Sequence, residues 1–425
     1  MAKICIITPD HLAVSSRTVK EADALHKAGH EVVVVFGRGP TPQAQVHDAH
    51  LLSGRTWRAM VVPWGRQGHP GRWLSTGLRQ RASRICWRRC ALVPLAARTL
   101  GRVYPELARS AAEQRADLYI GHFPAGLAAA GWAAQRTGAL LAFDAEDFHL
   151  GEGAPAPLQC AMAAIHDRYL PGCAYVSSSS GAIGEQLKAI YPSVRPITLY
   201  NVPEFDDFPA IPGNGSFRNS GALSLYWVSQ TGGLDRGIQD AIRAMALLEK
   251  PTELHLRGTC ATGAEEQLRS LAASVGVETS LHFHPQLPPW ELPADAAQHD
   301  VGLALEQPNT VNHDLAAAIK LFLYMAAGLA VGATATTGQR EVLSKAPAAG
   351  ALYPPGDHVA LAAILRRWQE GPEALAAAKR ASLEAARTRF NWEMESRKLV
   401  AVVEEVLRRG KRGDMSGGKE RMKLP

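Results

Sequence analysis

The N-terminal half of the chain alternates short apolar runs with stretches whose apolar residues recur at helical spacing. Ile4 to Thr8 is an apolar run, Thr18 to Lys27 carries its apolar residues on one side of a helix, and Glu31 to Phe36 is a second apolar run. This order predicts a βαβ unit. Further strand-like runs follow at Leu118 to Ile120, Ala139 to Phe143, Ala174 to Ser177 and Pro196 to Tyr200. Strands that alternate with helices predict a parallel sheet with helices on both faces.

The C-terminal half repeats this alternation after a stretch at 203–222 that is rich in Pro, Gly and Asn, which indicates a linker. Strands are predicted at Leu223 to Val228, Glu253 to Leu256, Leu281 to Phe283, Val301 to Leu305 and Ala330. Helices are predicted at Ile238 to Leu248, at Glu265 to Ala273, from Lys320, and at Asn391 to Leu407. The expected organisation is a first domain at 1–202, the linker, a second domain at 223–387, a C-terminal helix at 388–410 and a basic disordered tail at 411–425.

Length and composition agree with two folded domains and restrict the class of protein. The 425 residues exceed what one hydrophobic core usually serves, and 46% hydrophobic with 20% charged residues is typical of a globular protein. No apolar run reaches the roughly 20 residues of a membrane-spanning helix, so we expect a cytoplasmic protein. The six cysteines are scattered without a C-x-x-C pair, so they predict neither a disulfide framework nor a zinc site.

The segment from Lys320 to Glu341, KLFLYMAAGLAVGATATTGQRE, is the most informative part of the second half. It predicts a helix that Gly328 ends, a short buried strand, and a loop at Gly332 to Gly338 where a ligand can approach the backbone. The segment resembles the K-L-x-E-Y-M-A-A-G-x-P-V-V…E block of nucleotide-sugar glycosyltransferases, especially glycosyltransferase family 4. Shorter pieces that resemble the same family are Gly29 to Val32, Phe143 to Asp147, Leu199 to Val202 and Arg236-Gly237.

The resemblance implies the α/β fold called GT-B, in which two Rossmann-like domains with doubly wound parallel sheets face each other across a cleft. In that fold the C-terminal helix packs back on the first domain. The implied reaction moves a hexose from a nucleotide-diphosphate sugar to a hydroxyl of an acceptor glycan or lipid-linked glycan, with retention of anomeric configuration. Such enzymes serve cell-surface polysaccharide or glycolipid synthesis. No D-x-D sequence stands where a metal site would be expected, so neither a metal nor a bound cofactor is predicted.

Two other functions fit the same fold. A non-catalytic nucleotide-sugar-binding partner subunit would explain departures from the family pattern at Gln230 and Leu323. A nucleotide-sugar epimerase or hydrolase would consume the donor without a glycan acceptor. Measuring donor turnover with and without an acceptor separates these two functions from a transferase.

Lys320 is the first candidate for binding the donor diphosphate. It precedes the first turn of a predicted helix, where the N–H groups of Leu321 and Phe322 are free to meet an anion. In the resembling enzymes this helix start holds the diphosphate. The alternative is an ordinary solvated lysine at a helix start.

Arg236 is the second candidate for the diphosphate. It lies in the loop QTGGLDRG after the first strand of the second domain, and Gly232 and Gly233 allow the backbone to approach a phosphate. The family has a further cation where this chain has Gln230, so phosphate binding is either weaker or shifted onto Arg257. The alternative is an ordinary strand-to-helix loop.

Glu306 and His122 each follow an apolar strand, one in each half of the chain. The carboxyl ends of parallel strands form the ligand side of an open α/β sheet. The resemblance implies that Glu306 holds sugar or ribose hydroxyls, that His122 positions the donor sugar, and that both face the cleft. The family's second glutamate falls at Leu323, which cannot replace it; Asp314, eight positions after Glu306, is either its substitute or a helix N-cap.

The acceptor side is predicted in the first domain. Asp144, Glu146 and Asp147 follow the strand at Ala139 to Phe143, where clustered acids either orient an acceptor hydroxyl and act as a base or form a capping cluster in a loop. Ser16 and Arg17 fall in the first strand-to-helix loop, where many family members have Gly-Gly. Arg17 would offer a forked contact to an anionic acceptor or phosphate.

The segment 66–109 is strongly basic, with ten arginines and one acid, Glu106. Arg81, Arg84 and Arg88 share one face of a predicted helix, and Trp and Leu residues are interleaved with them. This composition indicates peripheral binding to an anionic surface, the inner face of the membrane. RNA is the less favoured partner, and a solvated helical insertion without a partner is the structural alternative.

Overall fold

The computed structural model describes residues 1–205, 208 and 221–412. Within it the chain forms two compact units, the first from Met1–Leu199 together with the chain from Ser396 onward, and the second from Tyr200–Glu395. Most of the predicted linker at 203–222 and most of the predicted disordered tail at 411–425 lie outside the described residues. No helix in the part of the chain that the structure describes combines the length and hydropathy needed to cross a bilayer.

The first unit is built on a sheet of seven parallel strands. Its strands are β1 (Lys3–Thr8), β2 (Glu31–Arg38), β3 (Arg58–Pro63), β4 (Leu118–His122), β5 (Leu140–Ala145), β6 (Tyr175–Ser178) and β7 (Pro196–Thr198). Their order across the sheet is β3-β2-β1-β4-β5-β6-β7. The central strand β1 is almost entirely buried because helices cover both faces, which explains its unbroken apolar run.

The helices of the first unit connect these strands. They are α1 (Ser16–Lys27), α2 (Pro42–Leu52), α3 (Pro70–Cys90), α4 (Val93–Leu100), α5 (Tyr104–Glu113), α6 (Phe123–Thr137), α7 (Ala156–Tyr169) and α8 (Gly181–Ile190). The helix α1 begins at Ser16, two residues before the predicted start, and the N–H of Thr18 donates to the carbonyl of Ser15 at 3.0 Å. The prediction that Ser16 and Arg17 lie in a loop is therefore wrong.

The second unit contains a sheet of six parallel strands. They are β8 (Leu223–Gly232), β9 (Thr252–Cys260), β10 (Leu281–His284), β11 (Val301–Ala304), β12 (Ala330–Thr334) and β13 (Gly350–Tyr353), in the order β10-β9-β8-β11-β12-β13. The helices are α9 (Ile238–Met245), α10 (Ala264–Ser274), α11 (Leu292–Ala296), α12 (Val311–Leu315), α13 (Ile319–Ala326), α14 (Thr337–Ser344), α15 (His358–Glu370), α16 (Pro372–Thr388) and α17 (Trp392–Arg412). The helix α17 belongs to the first unit from Ser396 onward.

Two strands of the second unit extend further than the apolar pattern predicts. The strands β8 and β9 continue as a parallel pair to Gly232 and Cys260, with an irregularity between Val228 and Thr231. Gln230 and Gly232 are therefore strand residues, and only Gly233 lies in the following loop. The apolar run ends at Val228 because the strand beyond it is no longer covered by the rest of the unit. Gln230 and Thr231 in this extension are exposed.

The segment after Gly328 also differs from its prediction. Gly328 ends α13 with a φ of 73°, as predicted, but the strand β12 extends to Thr334 and α14 starts at Thr337. A Cβ on Gly338 would lie 2.2 Å from the carbonyl oxygen of Ala316. Gly338 thus allows the backbones near α12 and α14 to touch. The predicted loop at Gly332 to Gly338 is reduced to Ala335 and Thr336, between the end of β12 and the start of α14.

Candidate functional site

Polar side chains gather at the carboxyl edge of each sheet, and in the second unit they centre on Glu306. This residue lies two positions after the last residue of β11. Nζ of Lys320, in the first turn of α13, lies 2.6 Å from Oε1 of Glu306, and the two side chains are only 13% and 14% exposed. The same ammonium lies 5.0 Å from the ring centroid of Trp227 on the neighbouring strand β8. The strand end, the helix start and the aromatic ring therefore form one small site.

Glu306 is surrounded by positive charge. Burial alone raises the pKa of this carboxyl, but the ammonium of Lys320, with smaller contributions from Arg236 and His313, brings the pKa below its ordinary value. Glu306 is therefore ionised at neutral pH. Lys320 pairs with Glu306, and Arg236 lies beside Asp235, whose side chain is 60% exposed, so the edge brings two cations together and one of them has only a solvent-exposed partner.

Gly237 determines where Arg236 can lie. It has a φ of 73°, and a Cβ there would meet the carbonyl oxygen of Leu305 at 2.4 Å. The turn that carries Arg236 therefore packs directly against the end of β11, next to Glu306. The guanidinium is 30% exposed, with Nε 3.6 Å from the carboxylate of Asp235.

Buried hydrogen bonds hold the backbone around this edge. Oγ1 of Thr334 donates to the carbonyl oxygen of Glu306 at 2.5 Å. The hydroxyl of Tyr324 accepts from the N–H of Val228 and donates to the carbonyl of Leu303, both at 3.2 Å. Gly302 makes room for that ring, since a Cβ there would lie 2.2 Å from it. The helix that carries Lys320 is thus fixed to both β8 and β11.

The helix α13 starts at Ile319, one residue earlier than predicted. This shift changes which backbone N–H groups are available to bind an anion. The N–H of Leu321 already donates to the carbonyl of Ala318 at 3.0 Å, and Leu321 and Phe322 are fully buried. The N–H of Leu321 therefore already has an acceptor within the protein, and the anion contact from the N–H of Phe322 stays a prediction. The N–H groups that lack an acceptor within the helix by geometry are those of Ile319 and Lys320.

Two other residues considered for the donor site have structural partners. Arg257 makes a forked contact with Asp295, at 2.6 Å for both nitrogens, so it does not replace the missing cation at Gln230. Asp314 accepts from the N–H and hydroxyl of Thr337 at 3.1 and 2.7 Å. Asp314 therefore bonds to the first residue of α14, whose N-cap is Thr336, and it does not cap its own helix, whose N-cap is Thr310.

The first unit has a buried charge network at the carboxyl edge of its sheet. Arg17 is fully buried, and its guanidinium donates to Asp144 at 2.7 Å, to Glu21 at 3.3 Å and to the carbonyl of Leu199 at 2.6 Å. Burial and the nearby carboxylate of Glu21 raise the pKa of Asp144 to about 7, although the charge of Arg17 opposes this. The guanidinium of Arg17 therefore bonds to groups inside the first unit, and its side chain is not exposed to solvent.

His122 lies between two carboxylates of the same network. Its Nδ1 is 3.0 Å from Glu146 and its Nε2 is 3.1 Å from Glu21. Burial alone lowers the pKa of His122, but Glu21 and Glu146 together raise it to about 10, so the ring is a cation at neutral pH. Phe123, the next residue, has a φ of 58°, which an L-residue rarely adopts. The chain therefore turns sharply directly after His122, which is the last residue of β4.

Glu146 is the member of the network that reaches the surface, with 12% of its side chain exposed. Burial raises the pKa of this carboxyl, but the hydrogen bond and charge of His122 lower it below its ordinary value. Oγ of Ser15 also donates to it at 3.2 Å, and the neighbouring Ser16 is exposed. Glu146 and Ser16 are therefore the accessible part of this edge.

Sequence reasoning missed Glu21, Trp227 and His313. Glu21 had a usable signal, because it stands four residues after Arg17 on the face of α1 that also carries buried Thr18 and Ala22. Two opposite charges at that spacing on an apolar face indicate a buried ion pair. Trp227 and His313 gave no such signal, since their importance comes from where the sheet places Lys320 and Glu306.

The comparisons with known proteins agree with this geometry. A family model described as "Glycosyl transferases group 1" matches residues 225–370. The match lies within the second unit and includes Trp227, Arg236, Glu306 and Lys320. It confirms, for this part of the chain, the resemblance predicted from Lys320 to Glu341. No curated protein matches the sequence.

Several solved glycosyltransferase structures have the same fold at low sequence identity. HepE of Anabaena in complex with UDP-glucose is 15% identical with a TM-score of 0.69, covering 95% of this chain and 100% of that one. Sucrose-phosphate synthase of Thermosynechococcus elongatus is 15% identical with a TM-score of 0.67, covering 96% and 99%. WaaG, involved in lipopolysaccharide biosynthesis, is 16% identical with a TM-score of 0.60, covering 94% and 99%. The predicted α/β fold of the GT-B class is confirmed.

Proposed function

We propose that this chain, with the fold of the GT-B glycosyltransferases, transfers a hexose from a nucleotide-diphosphate sugar to an acceptor hydroxyl with retention of configuration. The observation that carries the proposal is the placement of Lys320 and Arg236 around Glu306 at the carboxyl edge of the second sheet. This edge lies in the region that the glycosyltransferase family model matches.

The diphosphate is the natural ligand of these cations. When the bond between the anomeric carbon and the diphosphate oxygen breaks, the electron pair stays on that oxygen as negative charge. Lys320, Arg236 and the N–H groups at the start of α13 would stabilise this charge in the transition state. HepE, one of the similar structures, is bound to UDP-glucose, which supports a donor of this chemical class.

Glu306 would accept hydrogen bonds from hydroxyls of the donor sugar or ribose. It is ionised, and the hydrogen bond from Thr334 fixes its backbone, so the acceptor oxygens are held before the donor arrives. In the free protein Glu306 also holds Lys320. Binding of the donor would share this ammonium between the carboxylate and a phosphate oxygen.

On the first unit, Glu146 would orient the acceptor hydroxyl, with exposed Ser16 beside it. Asp144 and His122 lie behind Glu146 and hold the network together. We assign His122 to positioning, because both of its nitrogens are paired. The direct contact to the donor sugar that the resemblance implies would require His122 to release Glu21 or Glu146. No metal is needed for these roles, since the cations are side chains.

We also propose that α3 docks on an anionic membrane that presents a lipid-linked acceptor. Leu74, Leu78 and Ile85 fall on one face of the helix and are 56%, 56% and 59% exposed. Arg81 lies within the same stripe, and exposed Arg84, Arg88 and Arg89 flank it. An exposed apolar stripe edged by arginines fits the boundary between headgroups and acyl chains. Cell-surface polysaccharide or glycolipid synthesis is the corresponding pathway class.

The tryptophans of this segment hold α3 in place and do not form the docking face. Trp87 is buried and its indole N–H donates to the carbonyl of Pro157 at 3.0 Å. Trp73 lies beside the guanidinium of Arg102 at 5.4 Å. Arg79 makes a forked contact with Glu106 at 2.6 and 2.8 Å. Arg79 and Arg102 therefore stabilise the fold of the segment, whereas Arg81, Arg84, Arg88 and Arg89 are exposed on the surface of α3.

One experiment separates the transferase from its alternatives. The purified chain is given a panel of UDP-, GDP- and ADP-sugars, with and without a membrane extract that contains lipid-linked glycans. A transferase releases nucleoside diphosphate faster with acceptor and labels the glycan. A hydrolase or epimerase consumes donor equally without acceptor. Tight donor binding without any turnover would identify a non-catalytic partner subunit and overturn the proposal.

A further inference from the structure

Four imidazoles cluster on one face of the second sheet, away from Glu306. His255 on β9 stands opposite His282 on β10 in register, with ring centroids 4.7 Å apart and planes inclined by 25°. The ring of His284 is 5.3 Å from that of His255, and the ring of His299 is 4.7 Å away. This imidazole cluster is separate from the residues proposed for sugar transfer.

The register of the sheet gives the separation. His255 pairs with Tyr226 on β8, and Tyr226 pairs with Gly302 on β11. Glu306 lies four residues after Gly302, which is roughly 13 Å along the strand direction. The imidazole cluster therefore lies towards the amino ends of the strands, whereas the proposed donor site lies at their carboxyl edge.

Glu253 adds a carboxylate to the cluster. Because it precedes His255 by two residues on β9, it projects from the same face of the sheet. One ligand atom from each of Glu253, His255 and His282 lies within 4.8 Å of the other two. Two histidines and one carboxylate are a common ligand set for zinc and related transition metals.

The hydrogen bonding of His255 points to a cation beside its Nε2. Nδ1 of His255 is 3.0 Å from Nε2 of His284, which is a good hydrogen bond. Nε2 of His255 is buried without a hydrogen-bond partner, and Oε2 of Glu253 lies 3.5 Å from it. That distance is too long for a strong hydrogen bond. In the tautomer in which Nδ1–H of His255 donates to His284, the lone pair on Nε2 faces the carboxylate of Glu253, and a metal ion between them would satisfy both.

We propose that Glu253, Nε2 of His255 and His282 bind a divalent transition metal ion of the zinc type, with water as the fourth ligand. His284 supports the site from behind by accepting the Nδ1–H of His255, the contact that ligating histidines commonly make. Bond lengths near 2.0 Å bring tetrahedral ligand atoms to about 3.3 Å from one another. The three ligand atoms lie within 4.8 Å of one another, so they must approach by at most about 1.5 Å. The side chain of Glu253 is 38% exposed and has room to move.

The proposed role of the ion is structural. The strand β10 has four residues and forms the edge of the second sheet, so few hydrogen bonds hold it. An ion shared by residues of β9 and β10 would tie this edge strand to its neighbour. Magnesium and calcium are disfavoured because they prefer oxygen ligands.

The test uses the full-length chain without an affinity tag, titrated with zinc chloride by calorimetry and with cobalt(II) by visible absorption. We expect one zinc ion per chain with a Kd of about 1 µM or tighter, and a cobalt spectrum typical of tetrahedral coordination. His282→Ala and Glu253→Gln should each weaken zinc binding about tenfold or more. Zinc should also raise the Tm of the wild type and not that of His282→Ala.

His69→Ala is the control, because His69 is an exposed histidine of the first unit. It should bind zinc like the wild type. The proposal fails if the wild type binds no stoichiometric zinc, if Glu253→Gln and His282→Ala bind it with wild-type affinity, or if His69→Ala weakens binding as much as they do. Glu253→Gln is nearly isosteric, so its result is decisive where His282→Ala does not fold.

Discussion

Lys320 and Glu306 form a largely buried ion pair, with Nζ of the lysine 2.6 Å from the carboxylate. Neither residue is free to adopt many conformations, because α13 and the end of β11 are both fixed by hydrogen bonds from the sheet. The pair therefore holds a cation in place before any anion binds. Removing Lys320 leaves Glu306 with the weaker positive charges of Arg236 and His313, whereas neutralising Glu306 leaves the Lys320 ammonium without a carboxylate partner. The two substitutions should therefore differ in their effects.

Lys320→Ala should weaken binding of UDP or another nucleoside diphosphate at least about tenfold, equivalent to roughly 1.4 kcal/mol or more. The physical reason is the loss of the ammonium nearest the anion site. Isothermal titration measures the affinity. Lys379→Ala is the matched control, since Lys379 also pairs with a carboxylate, Asp300, at 3.0 Å and is similarly covered. Equal affinity of the two variants for the diphosphate would remove Lys320 from the donor site.

Glu306→Gln should affect turnover and affinity in opposite directions. The substitution frees Lys320 from a competing carboxylate, so affinity for the nucleoside diphosphate should stay constant or increase. The sugar or ribose hydroxyls lose a charged acceptor, so transfer should fall about 100-fold, or roughly 2.7 kcal/mol in the activation barrier. Initial rates with a labelled donor, together with calorimetry, measure both. Loss of diphosphate affinity with an unchanged kcat would contradict this assignment.

Gly237→Ala should destabilise the chain more than Gly276→Ala. Both glycines have positive φ, 73° and 76°, but only Gly237 has a neighbour that a Cβ would strike, the carbonyl oxygen of Leu305. Gly276→Ala should therefore cost about 1 kcal/mol for its backbone conformation alone. Gly237→Ala should cost roughly 2–4 kcal/mol and also weaken nucleotide binding, because the turn with Arg236 must move. Urea unfolding of both variants is the measurement, and equal losses would refute the close packing.

His122 should make stability depend on alkaline pH. Its pKa is raised from 6.5 to about 10 in the folded chain, so the folded state binds more protons than the unfolded state between these values. Stability from this residue is complete below about pH 6.5 and is lost as pH rises towards 10. Thermal unfolding across that range should show a steeper fall in Tm for the wild type than for His122→Gln. Parallel profiles for the two proteins would show that His122 is not a buried cation.

The exposed arginines of α3 should determine binding to anionic vesicles. Sedimentation with phosphatidylglycerol-containing liposomes should recover the wild type, and neutral liposomes should not. Binding should fall in 1 M salt, where the Debye length is about 3 Å. Replacing Arg81, Arg84, Arg88 and Arg89 by Ser should abolish it, because each basic residue contributes up to about 1 kcal/mol.

The control for this experiment removes the same charge from other surfaces. It replaces the exposed residues Lys27, Lys188, Arg243 and Arg380 by Ser. This variant should bind anionic liposomes like the wild type. Equal loss in both variants would assign binding to net charge and not to α3, and stronger salt-sensitive binding to RNA than to liposomes would favour the nucleic-acid alternative.

Much of the fold could be predicted from the sequence, because buried parallel strands leave unbroken apolar runs. The runs at Ile4 to Thr8 and Glu31 to Phe36 are strands of the first sheet, and Gly328 ends its helix as predicted. The strands β3 and β13 were missed. Most of their residues are only partly buried, so RAMVVP and GALY lack a continuous apolar pattern. An unbroken apolar run indicates a strand that is buried on both faces. An edge strand that is only partly buried lacks such a run.

The candidate site was predicted less completely than the fold. Glu306, Lys320, Asp144 and Glu146 lie at strand ends or helix starts, and parallel topology brings such positions to one edge. Their partners depend on three-dimensional placement. Arg17 has the composition of a surface contact yet is fully buried, because Asp144 and Glu21 compensate its charge. The identity of a charged residue does not show whether its charge is compensated by water at the surface or by a carboxylate in the interior.

The buried contact between Arg17 and Asp144 limits which substitutions this chain can tolerate at the two positions. Replacing either residue alone strands an ion in the protein interior, whereas exchanging both for well-packed apolar residues costs far less. Substitutions at these two positions should therefore be tolerated when both residues change together. A variant with only one of the two changes should be much less stable. We expect the two positions to covary among relatives of this chain, with Glu21 as the third member of the set.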